Sequence, residues 1–368
     1  MNTISSGNPL FSPVQIGRIQ SKNRLAVAPM SRVSASDDGR ATDVMTKYYE
    51  RFARGGFGLA STEGIYTDQM FSQAYHHQPG LVDEAQADAW KPIVNGIKRH
   101  GALAIAQLMH AGATSQGNRF APRTAGPSAV LPKGKPMAFY YGDDAFPEPL
   151  AMTEEQISDA IGGFGASADR AIKRAGFDAI EIHGANGYLL DQFLTDYTNQ
   201  RIDDWGGTTE ARLRLTLAVL SSVKNSVGPE VPIGVRISQG KVNDDRHKWS
   251  DGEHDAEIIF GSLADAGAAY IHVTEPDARV PAFPGKSESL VKFARKYAPK
   301  TTIVANGNLH VGRQALEALE DGADIISIGK AALANPDLPH THFYLKNSLR
   351  ASFFGSLSAE SALGMCFA

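Results

Sequence analysis

Short β-rich runs alternate with longer stretches of helical period along the chain from Arg24 onward. In the short runs small and branched apolar residues follow one another, whereas in the longer stretches apolar residues recur every three or four positions, as on one face of a helix. This alternation predicts βα units and a parallel sheet. The predicted strands are residues 24–28, 57–62, 102–107, 177–183, 232–238, 268–274, 301–306 and 324–329.

The helical stretches are bounded by residues that start and stop helices. Thr153 and Gln156 have the spacing of a capping box, in which each side chain satisfies a backbone N–H of the other residue. Glycines stand where several helices should end, at Gly101, Gly176, Gly267 and Gly322. The predicted helices include residues 83–100, 153–175, 208–227, 252–266 and 311–320.

Eight such units predict an α/β fold, a single (β/α)8 TIM barrel, which usually needs about 250 residues before insertions. We expect the barrel at about 24–346, within one domain that covers residues 1–368. Upstream of the first strand, VQIGRIQ predicts a small N-terminal hairpin that could plug the bottom of the barrel. A long insertion is expected after strand three at about 113–150, a polar one at 239–252, and a C-terminal tail at 347–368.

A doubly wound sheet is the competing fold, and it would carry a dinucleotide-binding fingerprint after an early strand. GFGASA at 163–168 fits that fingerprint by letters, but it lies inside a predicted helix rather than at a strand-to-helix turn. GKP at 134–136 fails as a phosphate loop because proline replaces the required Ser or Thr. Neither motif supports the alternative.

Composition excludes several classes of function. The net charge of -4 gives no general attraction to nucleic acid or to an anionic membrane. Because Cys366 is the one cysteine, the chain cannot build an internal disulfide, a Cys-rich zinc site or an iron–sulfur cluster. No apolar run of membrane-spanning length and no secretion-like leader is present, so we expect a cytoplasmic protein.

Polar residues end the predicted strands, and in a barrel the strand ends at this face carry the function. Gly307 with Asn308 follows strand seven, and Gly329 with Lys330 follows strand eight. Barrels commonly hold a phosphate there, which favours a phosphorylated ligand. Gln107 offers a donor and an acceptor and Arg236 a fixed cation, which suits a heterocycle with imide groups and an electron-rich edge.

The densest group of candidate side chains follows strand four. His183, Asn186 and Tyr188 bring three hydrogen-bonding groups to one strand end, which indicates a site. A lone histidine there would be read as a core residue, but its two neighbours favour a functional role. Glu181, two residues earlier, is expected to point into the barrel as a structural group. The histidine pairs of the chain lack the spacing of a metal site, so no metal is predicted.

Several stretches together resemble the Old Yellow Enzyme family of FMN-dependent oxidoreductases, over roughly Pro9 to Leu345. The most specific is EIHGANGYLLDQFL at 181–194, followed by NQRIDDWGGTTEARLR at 199–214. The remaining stretches are KNRLAVAPMSR at 22–32, QLMHAG at 107–112, VRIS at 235–238 and DIISIGKAALANPDLP at 324–339.

The resemblance implies a role for each candidate residue. His183 and Asn186 would donate hydrogen bonds to a substrate carbonyl, and Tyr188 would donate a proton. The residues implied to surround the isoalloxazine ring of FMN are Pro29, Met30, Ser31, Gly64, Gln107 and Arg236. Those implied to bind its phosphate are Gly307, Asn308, Gly329 and Lys330.

The implied activity is transfer of hydride from NADPH or NADH through FMN to the activated C=C bond of an α,β-unsaturated carbonyl or nitro compound, with ping-pong kinetics. The expected partner is a small enone or related electrophilic alkene, and the expected state is a monomer or homodimer. One alternative is a cluster-free amine dehydrogenase or demethylase of the same fold. Another is a flavin-binding barrel without turnover.

Three positions depart from the family pattern. Lys330 stands where the family commonly has arginine, which exchanges a bidentate fork for a point charge and should weaken the hold on phosphate. Ser31 stands where threonine or cysteine is usual, so the redox tuning of the flavin could shift. Ala113 follows QLMHAG where many bacterial relatives have arginine.

Overall fold

Eight parallel strands close into a barrel in a computed structural model that describes residues 8–140, 145–310 and 312–341. Each strand pairs in parallel with the next along the chain, and the eighth pairs with the first. The strands are β1 (Leu25–Val27), β2 (Leu59–Ser61), β3 (Leu103–Met109), β4 (Ala179–Asn186), β5 (Ile233–Lys241), β6 (Tyr270–Thr274), β7 (Thr302–Asn306) and β8 (Ile325–Ile328). The predicted TIM barrel is confirmed.

Helices surround the barrel and bury one face each against it. The capping box of Thr153 and Gln156 is present at the start of α3, and GFGASA lies inside that helix. The helix stretch predicted at 153–175 continues past α3 as a π-helical turn, Arg170–Ala175. The helices are α1 (Asp43–Arg54), α2 (Glu84–Arg99), α3 (Glu154–Asp169), α4 (Leu189–Leu194), α5 (Thr209–Val227), α6 (Glu253–Asp265), α7 (Leu290–Tyr297), α8 (Gly312–Glu320), α9 (Lys330–Ala334) and α10 (Leu338–Thr341).

An antiparallel hairpin of Val14–Ile16 with Ile19–Ser21 covers the bottom of the barrel, as the sequence predicts. Val14 and Ile16 pack against inward-facing residues of the barrel strands, including Leu59 and Ile105. This small cluster is separate from the larger core between barrel and helices. The hairpin therefore closes the lower end of the barrel with apolar side chains.

The strand ends differ from the prediction at the upper face. Strand β3 continues to Met109, β4 continues to Asn186 and β5 continues to Lys241. Residues 239–241 of the expected polar insertion at 239–252 therefore belong to β5, and the loop begins after Lys241. The prediction that strand four ends at His183 is wrong, because Asn186 still pairs with Lys241.

The described part of the insertion after β3 contains little regular structure. Ala125–Gly126 pairs with Leu150–Ala151, and short 3₁₀ turns form at Gly112–Thr114 and Ala138–Tyr140. The expected tail at 347–368 lies outside the described residues. Within the described ranges, no helix has the length and apolar character needed to cross a membrane.

Candidate active site

Strand β4 carries two buried polar side chains on one face, because side chains alternate across a strand. Glu181 accepts a hydrogen bond from Gln107 Nε2 at 2.8 Å, and its second oxygen lies 2.8 Å from His272 Nδ1. Burial alone would raise the pKa of Glu181, but His272, Arg236 and Gln107 together hold it below its ordinary value. Glu181 therefore points into the barrel, as expected, and fixes the amide of Gln107.

His183 lies two residues further along the same face. Its Nδ1 and Nε2 are both buried, and neither has a hydrogen-bond partner among the described residues. Burial lowers the pKa of His183 well below its ordinary value, and the nearby charges of Arg236 and His272 lower it further. The imidazole is therefore neutral at pH 7, with one N–H able to donate and one nitrogen able to accept.

The turn after β4 has a backbone conformation that few residues adopt. Asn186 has φ of 65° and Gly187 has φ of 86°, both in the left-handed region. The Asn186 N–H donates to Ser238 Oγ at 2.9 Å, which ties the turn to β5. A Cβ on Gly187 would lie 2.6 Å from Asn243 Oδ1, so glycine is required there for space as well as for conformation.

A buried ion pair lies beneath this turn. Lys241 Nζ lies 2.8 and 2.9 Å from the two carboxylate oxygens of Asp191, and both side chains are almost wholly excluded from solvent. Asp191 Oδ2 also accepts the Gly187 N–H at 2.6 Å. Lys241 is the residue that pairs with Asn186 across the two strands. The ion pair thus holds Asn186 through its strand pairing with Lys241, and Gly187 through its hydrogen bond to Asp191.

Tyr188 follows the turn, and its hydroxyl forms a hydrogen bond with the hydroxyl of Tyr75. Both rings are buried, and Tyr75 stacks on Tyr140 with ring centroids 3.9 Å apart. The rings of His183 and Tyr188 meet edge to face at 5.0 Å. Burial raises the pKa of Tyr188 to about 12, although the hydrogen bond with Tyr75 and the charge of Arg236 oppose the rise. Tyr188 is therefore protonated at pH 7.

Arg236 joins the ends of several strands at the centre of the barrel. It stands opposite His183 on β4 and opposite His272 on β6. Its Nη2 donates to Thr274 Oγ1 at 3.1 Å and to Asn306 Oδ1 at 3.3 Å. The buried guanidinium consequently forms a fixed positive charge beside His183.

A cavity of about 370 Å³ opens beside this centre, between the ends of β1, β6, β7 and β8. Arg279 is bound by Asp277 and also lies near Glu317, so its charge is balanced. Lys330 has no carboxylate partner among the described residues, and it shares the cavity with His310. The predicted residues that line this cavity are Pro29, Met30, Gly307, Asn308, Gly329 and Lys330.

Close packing explains one of these glycines. Gly307 has φ of 135°, and a Cβ on it would lie 2.2 Å from the carbonyl oxygen of Glu275. Any other residue would push the chain of the β7 end away from the β6 end. The cavity thus combines the backbone of the β7 end with the Lys330 ammonium, which has no carboxylate partner in the described ranges, and this arrangement suits a phosphate group.

The other predicted residues lie outside this cavity, and all of them are buried. Gly64 packs so closely on Met109 that a Cβ would lie 2.3 Å from its sulfur. The predicted residues in this second, buried group are Ser31, Gly64, Gln107, His183, Asn186, Tyr188 and Arg236. The structure therefore divides the predicted residues into a cavity lining and a buried polar centre.

Glu63 is one buried residue that sequence reasoning left without a role. Its Oε2 accepts the Arg32 N–H at 2.8 Å, and its Oε1 lies 3.1 Å from the Tyr49 hydroxyl. It connects the chain after β1 with the chain after β2, beside Ser31 and Gly64. Burial raises the pKa of Glu63 to about 7, against the opposing effect of these hydrogen bonds.

Tyr75, Asp191 and Lys241 were also missed. Asp191 lies in the quoted motif but reads as an ordinary helix residue, and Lys241 lies in a polar run that reads as a loop. Tyr75 contacts Tyr188 across 113 positions of sequence, so no local pattern joins them. No group of His, Cys, Asp and Glu suited to a metal ion occurs within residues 8–140, 145–310 and 312–341.

Comparisons with known proteins show similarity over most of the chain. The model of the NADH:flavin oxidoreductase / NADH oxidase family matches residues 9–346. A flavin oxidoreductase of Emericella nidulans is 30% identical, and the match covers 98% of this chain and 97% of that protein. 12-Oxophytodienoate reductase 2 of Arabidopsis thaliana is 31% identical, with 90% and 87% covered.

Solved structures give the same result. The Old Yellow Enzyme homologue from Zymomonas mobilis superposes with a TM-score of 0.81 at 30% identity, over 96% of this chain and 98% of that one. Morphinone reductase in complex with tetrahydroNAD also gives 0.81, at 29% identity, over 96% of each chain. The chain therefore belongs to the NADH:flavin oxidoreductase / NADH oxidase family, and its resemblance to the Old Yellow Enzymes is confirmed in sequence and fold.

Proposed function

We propose that the protein is an NAD(P)H-dependent, FMN-containing ene-reductase that reduces the activated C=C bond of α,β-unsaturated carbonyl or nitro compounds. The observation that carries the proposal is His183, a neutral buried imidazole without a hydrogen-bond partner in the described chain, beside protonated Tyr188. A buried polar group in this state is costly unless a ligand satisfies it. Family membership supports the same reaction. So do the names of two relatives, 12-oxophytodienoate reductase and morphinone reductase, because both names refer to carbonyl compounds.

The described residues fit FMN. The cavity at the ends of β7 and β8 offers Lys330 and the surrounding backbone to a phosphate group. Because Gln107 Nε2 is held by Glu181, the carbonyl oxygen of the amide remains to accept from an imide N–H. Arg236 supplies a fixed positive charge for an electron-rich ring edge. FMN bound there would accept hydride from NAD(P)H and deliver it to the substrate.

The residues after β4 would handle the substrate. As hydride reaches the β-carbon of an enone, negative charge develops on the carbonyl oxygen, and fixed donors on His183 and Asn186 would stabilise it. Loss of one such donor typically costs about 3 kcal/mol, or about a hundredfold in rate. Tyr188, protonated at pH 7, would then give its proton to the α-carbon.

Anaerobic reduction of the purified flavoprotein with NADPH, followed by cyclohexenone, tests the reaction. We expect bleaching by NADPH, and reoxidation by the enone with loss of its ultraviolet absorbance. A flavin that only an amine bleaches would indicate the amine dehydrogenase alternative. A flavin that neither compound reduces would indicate a barrel without turnover.

Substitution of the two proposed donors tests the site. We expect His183→Ala with Asn186→Ala to retain FMN but to lose most enone reduction. It should also lose the long-wavelength absorption of a phenol stacked on the flavin, because the phenolate oxygen would no longer be held. The matched control is His254→Ala with Asn225→Ala, which changes the same residue types on exposed helix positions. Wild-type enone turnover in the double variant would defeat the assignment.

A further inference from the structure

We propose that Tyr75 is a positioning residue for proton transfer, and that its hydroxyl donates the hydrogen bond to the oxygen of Tyr188 that stabilises this oxygen once its proton has left. The proposal rests on the proposed function, in which Tyr188 is the proton donor. It adds a residue that lies on a different segment of the chain, between β2 and α2, and it concerns the protonation step alone.

Local contacts fix the position of the Tyr75 hydroxyl. Its ring is stacked on Tyr140 at an interplanar angle of 27°. Its backbone carbonyl accepts a hydrogen bond from Gln73 Nε2 at 2.9 Å, and the preceding Ala74 N–H donates to Gln78 Oε1 at 2.6 Å. The side chain is fully buried, so water does not compete for the hydroxyl. These contacts hold the Tyr75 hydroxyl in the position from which it contacts Tyr188.

The chemistry assigns the direction of the bond. A phenol has one proton, so Tyr188 can give its proton to a substrate carbon only if the proton does not point at Tyr75. Tyr188 must then accept from Tyr75. The effects on the two pKa values agree with this direction. Beyond burial, which raises the pKa of both residues, the bond lowers that of Tyr188 and raises that of Tyr75.

The hydrogen bond from Tyr75 stabilises the transition state of proton transfer more than the ground state. Hydrogen bonds to an ionised oxygen are shorter and stronger than those between neutral groups. The bond from Tyr75 therefore strengthens as negative charge grows on Tyr188, which lowers the barrier to protonation of the substrate. The other group found to lower the pKa of Tyr188 is the positive charge of Arg236. Both groups are already in place before the proton moves.

Atoms and charges balance in this step. The Tyr188 O–H bond breaks, its proton forms the new C–H bond at the α-carbon, and the negative charge of the substrate anion passes to the Tyr188 oxygen. Tyr75 keeps its own proton and holds that oxygen by a hydrogen bond. A proton from solvent later restores Tyr188, so each turnover consumes one solvent proton and one hydride.

Product partition from a nitroalkene tests the proposal. Hydride addition to a nitroalkene yields a nitronate, which absorbs in the ultraviolet and is protonated slowly in water if the enzyme does not protonate it. We expect Tyr75→Phe, which preserves the ring and its stack, to slow protonation about ten- to a hundredfold, the factor that corresponds to a hydrogen bond to a charged group. Nitronate should accumulate, while hydride transfer, which is monitored as flavin reoxidation and precedes protonation, stays close to the wild-type rate.

Two variants calibrate this experiment. Tyr188→Phe removes the proposed donor and should release nitronate almost entirely. Tyr66→Phe is the structural control, because Tyr66 is also buried and its hydroxyl bonds to Gln86 Nε2, away from Tyr188. We expect it to release nitroalkane as the wild type does. Retention of FMN absorbance in all three variants confirms that the fold is intact.

The outcomes separate the two hypotheses. If Tyr75→Phe protonates the nitronate at the wild-type rate while Tyr188→Phe does not, the role of Tyr75 is refuted and that of Tyr188 stands. If Tyr188→Phe also yields nitroalkane at the wild-type rate, the proposed proton donor is wrong, and the proposal for Tyr75 fails with it. If Tyr75→Phe slows hydride transfer as much as protonation, Tyr75 shapes the site generally and does not act through Tyr188.

Discussion

Two neighbouring side chains on β4 show how burial alone does not decide the charge of a residue. Glu181 and His183 face the same interior and are equally hidden from solvent. Donors and positive neighbours favour the charged form of Glu181 against the effect of burial, whereas burial lowers the pKa of His183 and the positive Arg236 lowers it further. One strand thus presents an anion beneath the proposed flavin site and a neutral donor for the proposed substrate.

Glu63 should make the stability of the protein depend on pH near neutrality. Its pKa is about 7 in the folded chain and near the ordinary value of 4.5 in the unfolded chain. Between these values the folded state holds a proton that the unfolded state has lost, so stability falls as pH rises from 4.5 to 7 and then levels off. The slope is at most about 1.4 kcal/mol per pH unit.

Glu63→Gln removes the titrating group, so the variant should lack this contribution to the pH slope. The measurement is urea unfolding of wild type and variant at a series of pH values. Glu257→Gln, at an exposed position on α6, is the matched control and should retain the wild-type slope. Equal slopes in wild type and Glu63→Gln would show that Glu63 does not titrate in this range.

Sequence reasoning reached single residues only where the pattern was local. His183, Asn186 and Tyr188 stood out because they lie within six positions of one strand end. Tyr75 and Glu63 could not be found in this way, because their importance depends on contacts between segments that fold together from separate parts of the chain. Arg236 was found from its place in a strand, but its bonds to β6 and β7 required the barrel.

At the scale of elements, the turn between β4 and α4 is held by groups from a different strand. The strands β4 and β5 both extend beyond their predicted ends because Asn186 pairs with Lys241. The sequence QGK at 239–241 is polar and contains glycine, so it predicts a loop; these residues are instead buried and form the end of β5. Polar residues can extend these strands because TIM barrels place their functional side chains at the carboxyl ends of the strands.

Lys241→Met should destabilise this turn strongly, because it leaves the Asp191 carboxylate buried without its cation. Breaking a buried ion pair in this way costs about 3–5 kcal/mol. The double variant with Asp191→Asn should recover part of that loss, because an asparagine oxygen can still accept the Gly187 N–H without a charge. The measurement is the free energy of unfolding of each apoprotein in urea.

Lys173→Met provides the control, because Lys173 also pairs with an aspartate, Asp169, but at the surface. It should cost less than about 1 kcal/mol. The prediction is contradicted if Lys241→Met costs no more than this control. Binding of a phenol to the flavoprotein should weaken in Lys241→Met but not in Lys173→Met, because the position of Asn186 depends on the turn that Lys241 holds.

At the scale of the whole molecule, barrel closure brings distant strand ends into one site. The strand count and order were predictable because each βα unit has its own apolar period and its own stop signals. The relative placement of the ends was predictable only as a consequence of the barrel, which puts the carboxyl ends of all strands at one face. The cavity volume and the balance of Arg279 by Asp277 depend on loop packing that no periodicity describes.

FMN should stabilise the whole chain, because its proposed site joins the ends of strands from both halves of the barrel. A ligand that binds only the folded state adds about 2.7 kcal/mol at a hundred times its dissociation constant. Riboflavin lacks the phosphate and so leaves Lys330 and the cavity unused. At equal concentration we expect FMN to raise the thermal midpoint of the apoprotein by several degrees and riboflavin to raise it far less.

Substitutions of Lys330 test whether the difference between the FMN and riboflavin midpoint shifts arises in the cavity. In Lys330→Met the advantage of FMN over riboflavin should shrink, because the cation without a carboxylate partner among the described residues is lost. Lys330→Arg should enlarge it, since a guanidinium can bind phosphate through two parallel N–H bonds. Lys300→Met, at the opposite end of the barrel beside β7, is the control and should leave both midpoint shifts unchanged. An FMN advantage that persists unaltered in Lys330→Met would place the phosphate outside this cavity.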